Sequence, residues 1–149
     1  MNVLITGGAG YIGSELVGFL LEKGHRVTVI DNLEYGPESL LRYTGDPRFE
    51  FFNLDVRQTS KLKKYLDNSD VIIPLACLVG FPLCEQRPQE AIDINYKVNK
   101  WIAENKKQHQ ILIYPCTNSG YGVSKDGSVC TEESPLNPVS LYGKTKVDA

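Results

Sequence analysis

Thr6-Gly7-Gly8-Ala9-Gly10-Tyr11-Ile12-Gly13 is the stretch that decides the fold. Before it runs Asn2-Val3-Leu4-Ile5-Thr6, short, apolar and ended by glycine, which reads as a buried first strand. After it Ile12, Leu16, Val17, Leu20 and Leu21 recur at helical spacing, and Gly24 stands where a helix end favours a left-handed residue. Gly8-x-Gly10-x-x-Gly13 between strand and helix is the dinucleotide fingerprint in its proper context. One glycine permits the tight turn, one lets backbone approach a pyrophosphate, and one lets helix and strand pack closely. The helix N-terminus then offers unpaired N–H groups and a positive dipole end to phosphate. Taken alone, the same glycines fit any tight strand-to-helix turn.

Asp31 favours the cofactor reading. It ends a second strand, Arg26-Val27-Thr28-Val29-Ile30, 18 residues after Gly13, where a carboxylate accepts hydrogen bonds from an adenosine ribose. It would repel a 2′-phosphate, and no Arg follows closely, so NAD is expected over NADP. Asp31-Asn32 also fits a plain turn after a strand. Asp55, after a third strand at Phe49–Asn53, suits either an adenine amino group or a solvated loop.

The rest of the chain alternates in the same way. A charged helix is expected over Ser60–Asp67 and a fourth strand at Val71-Ile72-Ile73, ending at Pro74. A helix opened by Pro88 carries the apolar stripe Ala91, Ile94, Val98, Trp101 and Ile102. A fifth strand is expected at Ile111–Tyr114, a loop over 115–139, and a last helix from Ser140. Such alternation implies an α/β fold: a doubly wound parallel sheet of Rossmann type, with helices on both faces. No linker composition marks a second domain.

Composition excludes several classes. The 149 residues are 42% hydrophobic and 23% charged with net charge −2, which is neither a disordered chain nor a nucleic-acid footprint. Lys61, Lys63 and Lys64 read as a solvated helix face. No apolar run reaches the ~18 residues of a membrane span, and the N-terminus has no signal-peptide pattern. Cys77, Cys84, Cys116 and Cys130 form no Cys-x-x-Cys, and only His25 and His109 are present to join them, so no metal site is expected. Reduced thiols in a cytoplasmic protein are the simpler reading.

The C-terminal end adds chemistry. Tyr142 and Lys146 stand at i, i+4, on one helix face. An ammonium near a phenol, together with the positive nicotinamide of NAD, favours phenolate, which can take a proton from an alcohol while hydride leaves for the nicotinamide. Thr117, after the fifth strand, can hydrogen-bond the same oxygen. An amphipathic helix surface and a capped turn are the plain alternatives.

Thr6–Gly13, Asp31, Asp55, Leu75-Ala76, Thr117 with Tyr121-Gly122, and Tyr142-Gly143-Lys144-Thr145-Lys146 together resemble the extended short-chain dehydrogenase/reductase family. The similarity is to its NAD-dependent sugar-nucleotide epimerase and dehydratase branch, over all 149 residues. The resemblance implies catalytic roles for Thr117, Tyr142 and Lys146. It implies cofactor contacts at Gly7, Gly10, Tyr11, Ile12, Gly13, Asp31, Asn32, Asp55, Val56, Leu75, Ala76, Asn95, Tyr142 and Lys146. Pro74 stands where the family often has His. Asn95 lies on the apolar side of its helix, where a structural bridge is at least as good a reading as cofactor contact.

Dehydratases of this family usually carry Asp-Glu after the Thr. Asn118-Ser119 cannot do that proton work, so 4,6-dehydration is disfavoured and 4-epimerisation preferred. A dehydrogenase, reductase or dehydratase of the same family, and a non-catalytic NAD-binding fragment, remain as alternatives. The cysteines near the site read as small packing residues. The loops 79–87 and 123–139 are expected to face substrate, with Glu85, Arg87, Lys125, Asp126, Glu132 and Glu133 as their charges. The resemblance also implies a nucleotide-sugar substrate, a homodimer in the full-length parent, and a C-terminal substrate-binding lobe that residues 1–149 lack. A fragment, a split gene product and a shortened chain all fit, and little or no turnover is expected from these residues alone.

Overall fold

Five strands form one parallel sheet: β1 (Asn2–Thr6), β2 (Arg26–Asp31), β3 (Phe49–Asn53), β4 (Val71–Pro74) and β5 (Ile111–Leu112). The computed structural model describes residues 1–123 and 129–149, so Lys125 and Asp126 of the expected substrate-facing loop lie outside the described residues. The strand order is β3-β2-β1-β4-β5. Register follows from the apolar runs: Val3 pairs with Val27 and Val71, and Ile5 with Val29 and Ile73. The chain first winds outward from β1 to β3, through α1 (Tyr11–Glu22), then returns through α2 (Thr59–Asp67) to the other side of β1. Right-handed crossovers in opposite directions put α1 and α2 on opposite faces. The crevice outside the carboxyl ends of β1 and β4 is thereby a topological switch point, where such sheets bind ligands.

Side-chain alternation along each strand builds two cores. Val3, Ile5, Val27, Val29, Val71 and Ile73 cluster with Val17 and Leu21 of α1. Leu4, Ile30 and Ile72, of opposite parity, are fully buried, as are Leu62 and Leu66 of α2. Burial on both faces explains why these strands read as continuous apolar runs. The expected strand Ile111–Tyr114 shortens to Ile111–Leu112. Ile113 still donates to the Ile72 carbonyl at 2.9 Å, but Pro74 ends β4 without an N–H to extend the ladder. Between β2 and β3, Glu38–Tyr43 forms a 3-10 helix.

The chain divides into two compact units: Met1–Ala76 with Trp101–Pro115, and Cys77–Lys100 with Cys116–Ala149. The first holds the sheet. Its return to β5 is pinned by Gln110, whose buried Nε2 donates to the carbonyls of Leu66 and Ser69, both at 2.6 Å. Gln110→Leu is expected to cost about 2 kcal/mol, because buried carbonyls lose their donor. Urea unfolding of the 149-residue chain measures this; a loss under about 0.5 kcal/mol would make the clamp dispensable.

The second unit corrects one expectation. Residues 79–87 are not simply a loop, since α3 (Phe81–Gln86) forms there, with Pro82 in its first turn. Proline is tolerated in a first turn because it lacks only an N–H that would be unpaired anyway. After it come α4 (Pro88–Ala91), a π-helical segment (Ile92–Val98) and the first two residues of α5 (Asn99–Asn105), which from Trp101 on belongs to the first unit. A 3-10 helix (Asn118–Tyr121) and α6 (Leu141–Asp148) complete the unit. Ser140 caps α6, its Oγ accepting from the Gly143 N–H at 3.0 Å.

Candidate functional site

In the first unit the glycine loop is built by close backbone approach. Gly7 has φ +72, and a Cβ there would stand 2.4 Å from the Ala76 nitrogen, so only glycine passes β4's exit. A Cβ on Gly13 would meet the Gly7 carbonyl oxygen at 2.5 Å and Gly8 Cα at 2.6 Å, which seats α1 directly on the turn. Gly10 is different: its absent Cβ would touch only the Gly7 oxygen, at 3.3 Å, leaving space above the loop. Gly10 is also the residue capping α1, with no side chain bonded to the cap and no acid in the first turn. The N–H groups of that turn have no intrahelical acceptor and sit at the positive dipole end. Tyr11 and Ile12 are exposed beside them, Tyr11 almost completely. An open, uncapped, glycine-walled helix N-terminus fits a dinucleotide pyrophosphate.

Asp31 joins the loop to the second strand. Its Oδ2 accepts from Ala9 N–H at 3.0 Å and its Oδ1 from Leu33 N–H at 2.8 Å. Ser39, which carried no signal in the sequence, donates its Oγ–H to the Ala9 carbonyl at 2.7 Å, so the Ala9 peptide is held on both sides. Asn32 accepts from Glu34 N–H at 3.2 Å in a local turn. Asp55 is engaged by Arg57, which holds its carboxyl below the usual range, and Val56 is buried. Leu75 is half-buried and packs on the sheet core, while Ala76 N–H donates to Thr6 Oγ1 at 3.4 Å.

The second unit brings Thr117, Tyr142 and Lys146 together. Thr117 Oγ1 accepts from Ser119 N–H at 3.2 Å, capping the 3-10 helix, and Thr117 lies close enough to the Tyr142 phenol to favour its ionised form. Lys146, one turn beyond Tyr142, is buried. Burial, ahead of the nearby Cys77 thiol, raises the Tyr142 pKa, and Thr117 opposes this. Burial likewise lowers Lys146, against opposing contributions from Cys77 and Cys116. Without a bound cofactor the residues favour the neutral phenol, since burial outweighs Thr117; the expected phenolate needs the added positive charge that a nicotinamide would bring.

Asn95 is fully buried and its amide is spent on protein. Its Oδ1 accepts from Leu78 N–H at 2.9 Å, and its Nδ2 donates to the Leu78 carbonyl at 3.0 Å and to Thr145 Oγ1 at 3.5 Å. That is the bridging geometry. Thr145, unremarked in the sequence, donates to the Tyr142 carbonyl at 3.0 Å. Its only signal was its place between Tyr142 and Lys146.

The thiols differ sharply. Cys84 is buried, Cys77 half-buried, and Cys116 and Cys130 exposed. Burial pushes the Cys77 thiol from 9.0 up to about 11. At equal pH this leaves Cys77 with ~100-fold less thiolate than an unperturbed thiol. Iodoacetamide at pH 8 should modify Cys116 and Cys130 well before Cys77, as read by peptide mass mapping; early Cys77 labelling would contradict its burial. Between pH 9 and about 11 the folded chain holds this proton and the unfolded chain does not, so this group's stabilising share is lost as pH rises through that window.

Known proteins are similar to this chain in sequence and fold. The family model described as the NAD dependent epimerase/dehydratase family matches residues 3–149. A UDP-glucose 4-epimerase of Lactobacillus helveticus is 32% identical over 99% of this chain and 44% of its own length. The structure of a UDP-N-acetylglucosamine 4-epimerase from Methanobrevibacter ruminantium, in complex with UDP-N-acetylmuramic acid, superimposes with TM-score 0.86 at 28% identity. It is covered over 47% of its length, by 98% of this chain. The dTDP-glucose 4,6-dehydratase DesIV from Streptomyces venezuelae, with NAD bound, gives TM-score 0.88 at 28% identity, over 99% of this chain and 49% of that one. The chain spans less than half the length of these relatives. With a family model matched from residue 3 to 149 and the glycine loop in place, the chain belongs to the NAD dependent epimerase/dehydratase family.

Proposed function

We propose that this chain is the cofactor-binding part of an NAD-dependent sugar-nucleotide 4-epimerase. The observation that carries the reading is that one compact unit holds Thr117 beside the Tyr142 phenol and Lys146 buried one turn on, with Asn118-Ser119 after the threonine instead of an acid pair. Gly7, Gly10 and Gly13 with the first turn of α1 would hold the pyrophosphate, and Asp31 the adenosine ribose. NAD, when bound, supplies the two-electron acceptor and gives the hydride back. Tyr142 would take the proton of the sugar C4 hydroxyl as that carbon loses hydride, leaving a keto sugar, and would return the proton when hydride arrives on the other face. Thr117 would donate to the same oxygen. Lys146 would supply positive charge that helps ionise the phenol.

Asn118 and Ser119 offer no acid–base pair for losing water, which favours epimerisation over dehydration although DesIV shares the fold. Among the described residues no helix is long and apolar enough to cross a membrane. A cytoplasmic homodimer with a nucleotide-sugar substrate completes the proposal. Incubating the full-length protein with UDP-glucose and UDP-N-acetylglucosamine should give 4-epimer mixtures by NMR with no net nicotinamide absorbance change. Steady NADH accumulation would instead make it a dehydrogenase. Calorimetry of NAD against the 149-residue chain tests the cofactor half separately.

A further inference from the structure

Asn99 opens α5 where the π-helical segment Ile92–Val98 gives way to regular helix. It is buried, and its Nδ2 donates to two backbone carbonyls, Ile94 at 3.1 Å and Asn95 at 3.0 Å. Its Oδ1 is buried with no hydrogen-bond partner among the described residues. The amide orientation follows from these contacts, since the reverse would set oxygen against two carbonyl oxygens. A π turn inserts an extra residue into the helical ladder, so a carbonyl there is left to find another donor. Asn99 provides that donor at the expense of an orphaned acceptor. An apolar residue of similar size would fill the place without the orphan, so it is the donor that requires an amide here.

What the donor holds is the residue at the centre of a polar chain. Asn99 grips the Asn95 carbonyl; Asn95 grips both polar groups of Leu78 and reaches Thr145. Thr145 bonds the Tyr142 carbonyl and precedes Lys146. Every link lies in the second unit.

We propose that Asn99 is a positioning residue for Tyr142 and Lys146, acting through Asn95 and Thr145 by fixing the π turn. It need not touch a substrate. Its role in turnover rests on the epimerase reading; its role in placing the phenol does not.

The test therefore reads the phenol directly. Tyr142 is titrated by NMR in 13C-tyrosine-labelled chain, assigned by Tyr142→Phe. The groups around it that can carry charge or hydrogen-bond it are Cys77, Cys84, Cys116 and Thr117, with Lys146 on its own helix. Asn99→Leu removes the donor. Asn99→Thr keeps one, because a threonine hydroxyl can bond the carbonyl four residues back. Loosening α6 admits water to the phenol, so in Asn99→Leu its raised pKa should fall toward 10. Asn99→Thr should recover most of that change. In the full-length protein Asn99→Leu should lower kcat about 10-fold with the NAD Kd unchanged.

An unaltered Tyr142 titration in folded Asn99→Leu overturns the proposal, as does Asn99→Thr behaving like Asn99→Leu. Should Asn99→Leu not fold, Asn99→Ala, which likewise lacks the donor, takes its place: a fall of the Tyr142 pKa supports positioning, and no change overturns it. A shifted titration in a protein that epimerises nothing would leave the positioning role standing and remove the epimerase reading.

Discussion

Tyr142→Phe is expected to lower kcat of the full-length protein by about 10²–10⁴-fold, the range for losing a positioned general acid–base group. The ring is half-buried and phenylalanine fills the same space, so the fold should persist. Thr117 keeps the Ser119 N–H, so the 3-10 cap should hold. NAD affinity of the 149-residue chain should change little, because Gly7, Gly10, Gly13 and Asp31 carry the expected pyrophosphate and ribose contacts. Steady-state kinetics with a matched calorimetric titration checks both halves. A loss under about 10-fold would assign the proton to another group.

Gly13→Ala should have the second large effect, and its form separates two uses of glycine. The new Cβ would meet the Gly7 carbonyl oxygen at 2.5 Å and Gly8 Cα at 2.6 Å. Both are backbone, so α1 must move off the turn rather than a side chain swing aside. The expected cost is about 1–3 kcal/mol of stability, together with loss of measurable NAD binding. Gly10→Ala is the control: its Cβ would touch only the Gly7 oxygen, at 3.3 Å. That variant should unfold near wild-type urea concentrations yet bind NAD weakly, since the methyl group occupies the space expected for phosphate. If Gly10→Ala bound NAD as well as wild type, the loop would be a packing turn rather than a phosphate cradle.

The elements that were legible in the sequence share a local cause. β1, β2 and β4 are largely apolar runs with core residues on both faces, ended by glycine, an acidic residue or proline, so period and boundary agree; β3, at the sheet edge with Glu50 and Asn53 exposed, reads from its aromatic residues. The strand order follows from alternation and crossover handedness. α3 was not legible because its six residues begin Phe81-Pro82 and form less than two turns, too few for a helical period. The division into two units was hidden because no linker composition marks the boundaries at Ala76, Lys100 and Pro115.

Of the site, residue types at fixed spacing could be read, while their surroundings could not. Asp31 beside the glycine loop and Tyr142 one turn before Lys146 needed only the sequence. The direction of the Tyr142 and Lys146 pKa shifts depends on burial, which comes from the whole second unit and which no spacing in the sequence reveals. Asn95 was readable as a polar residue on an apolar face, but its hold on Leu78 is a contact across 17 residues. Ser39 and Asn99 matter through carbonyls they hold, which no spacing rule marks.

The central claim is that hydride leaves a sugar carbon and returns to the same carbon while Tyr142 handles the hydroxyl proton. It is tested most directly with nucleotide sugar deuterated at C4 and the full-length protein. The account predicts a 4-epimer that keeps its deuterium at C4 and takes up no solvent hydrogen there. Washout of the label into water, or a dehydrated product, would contradict it.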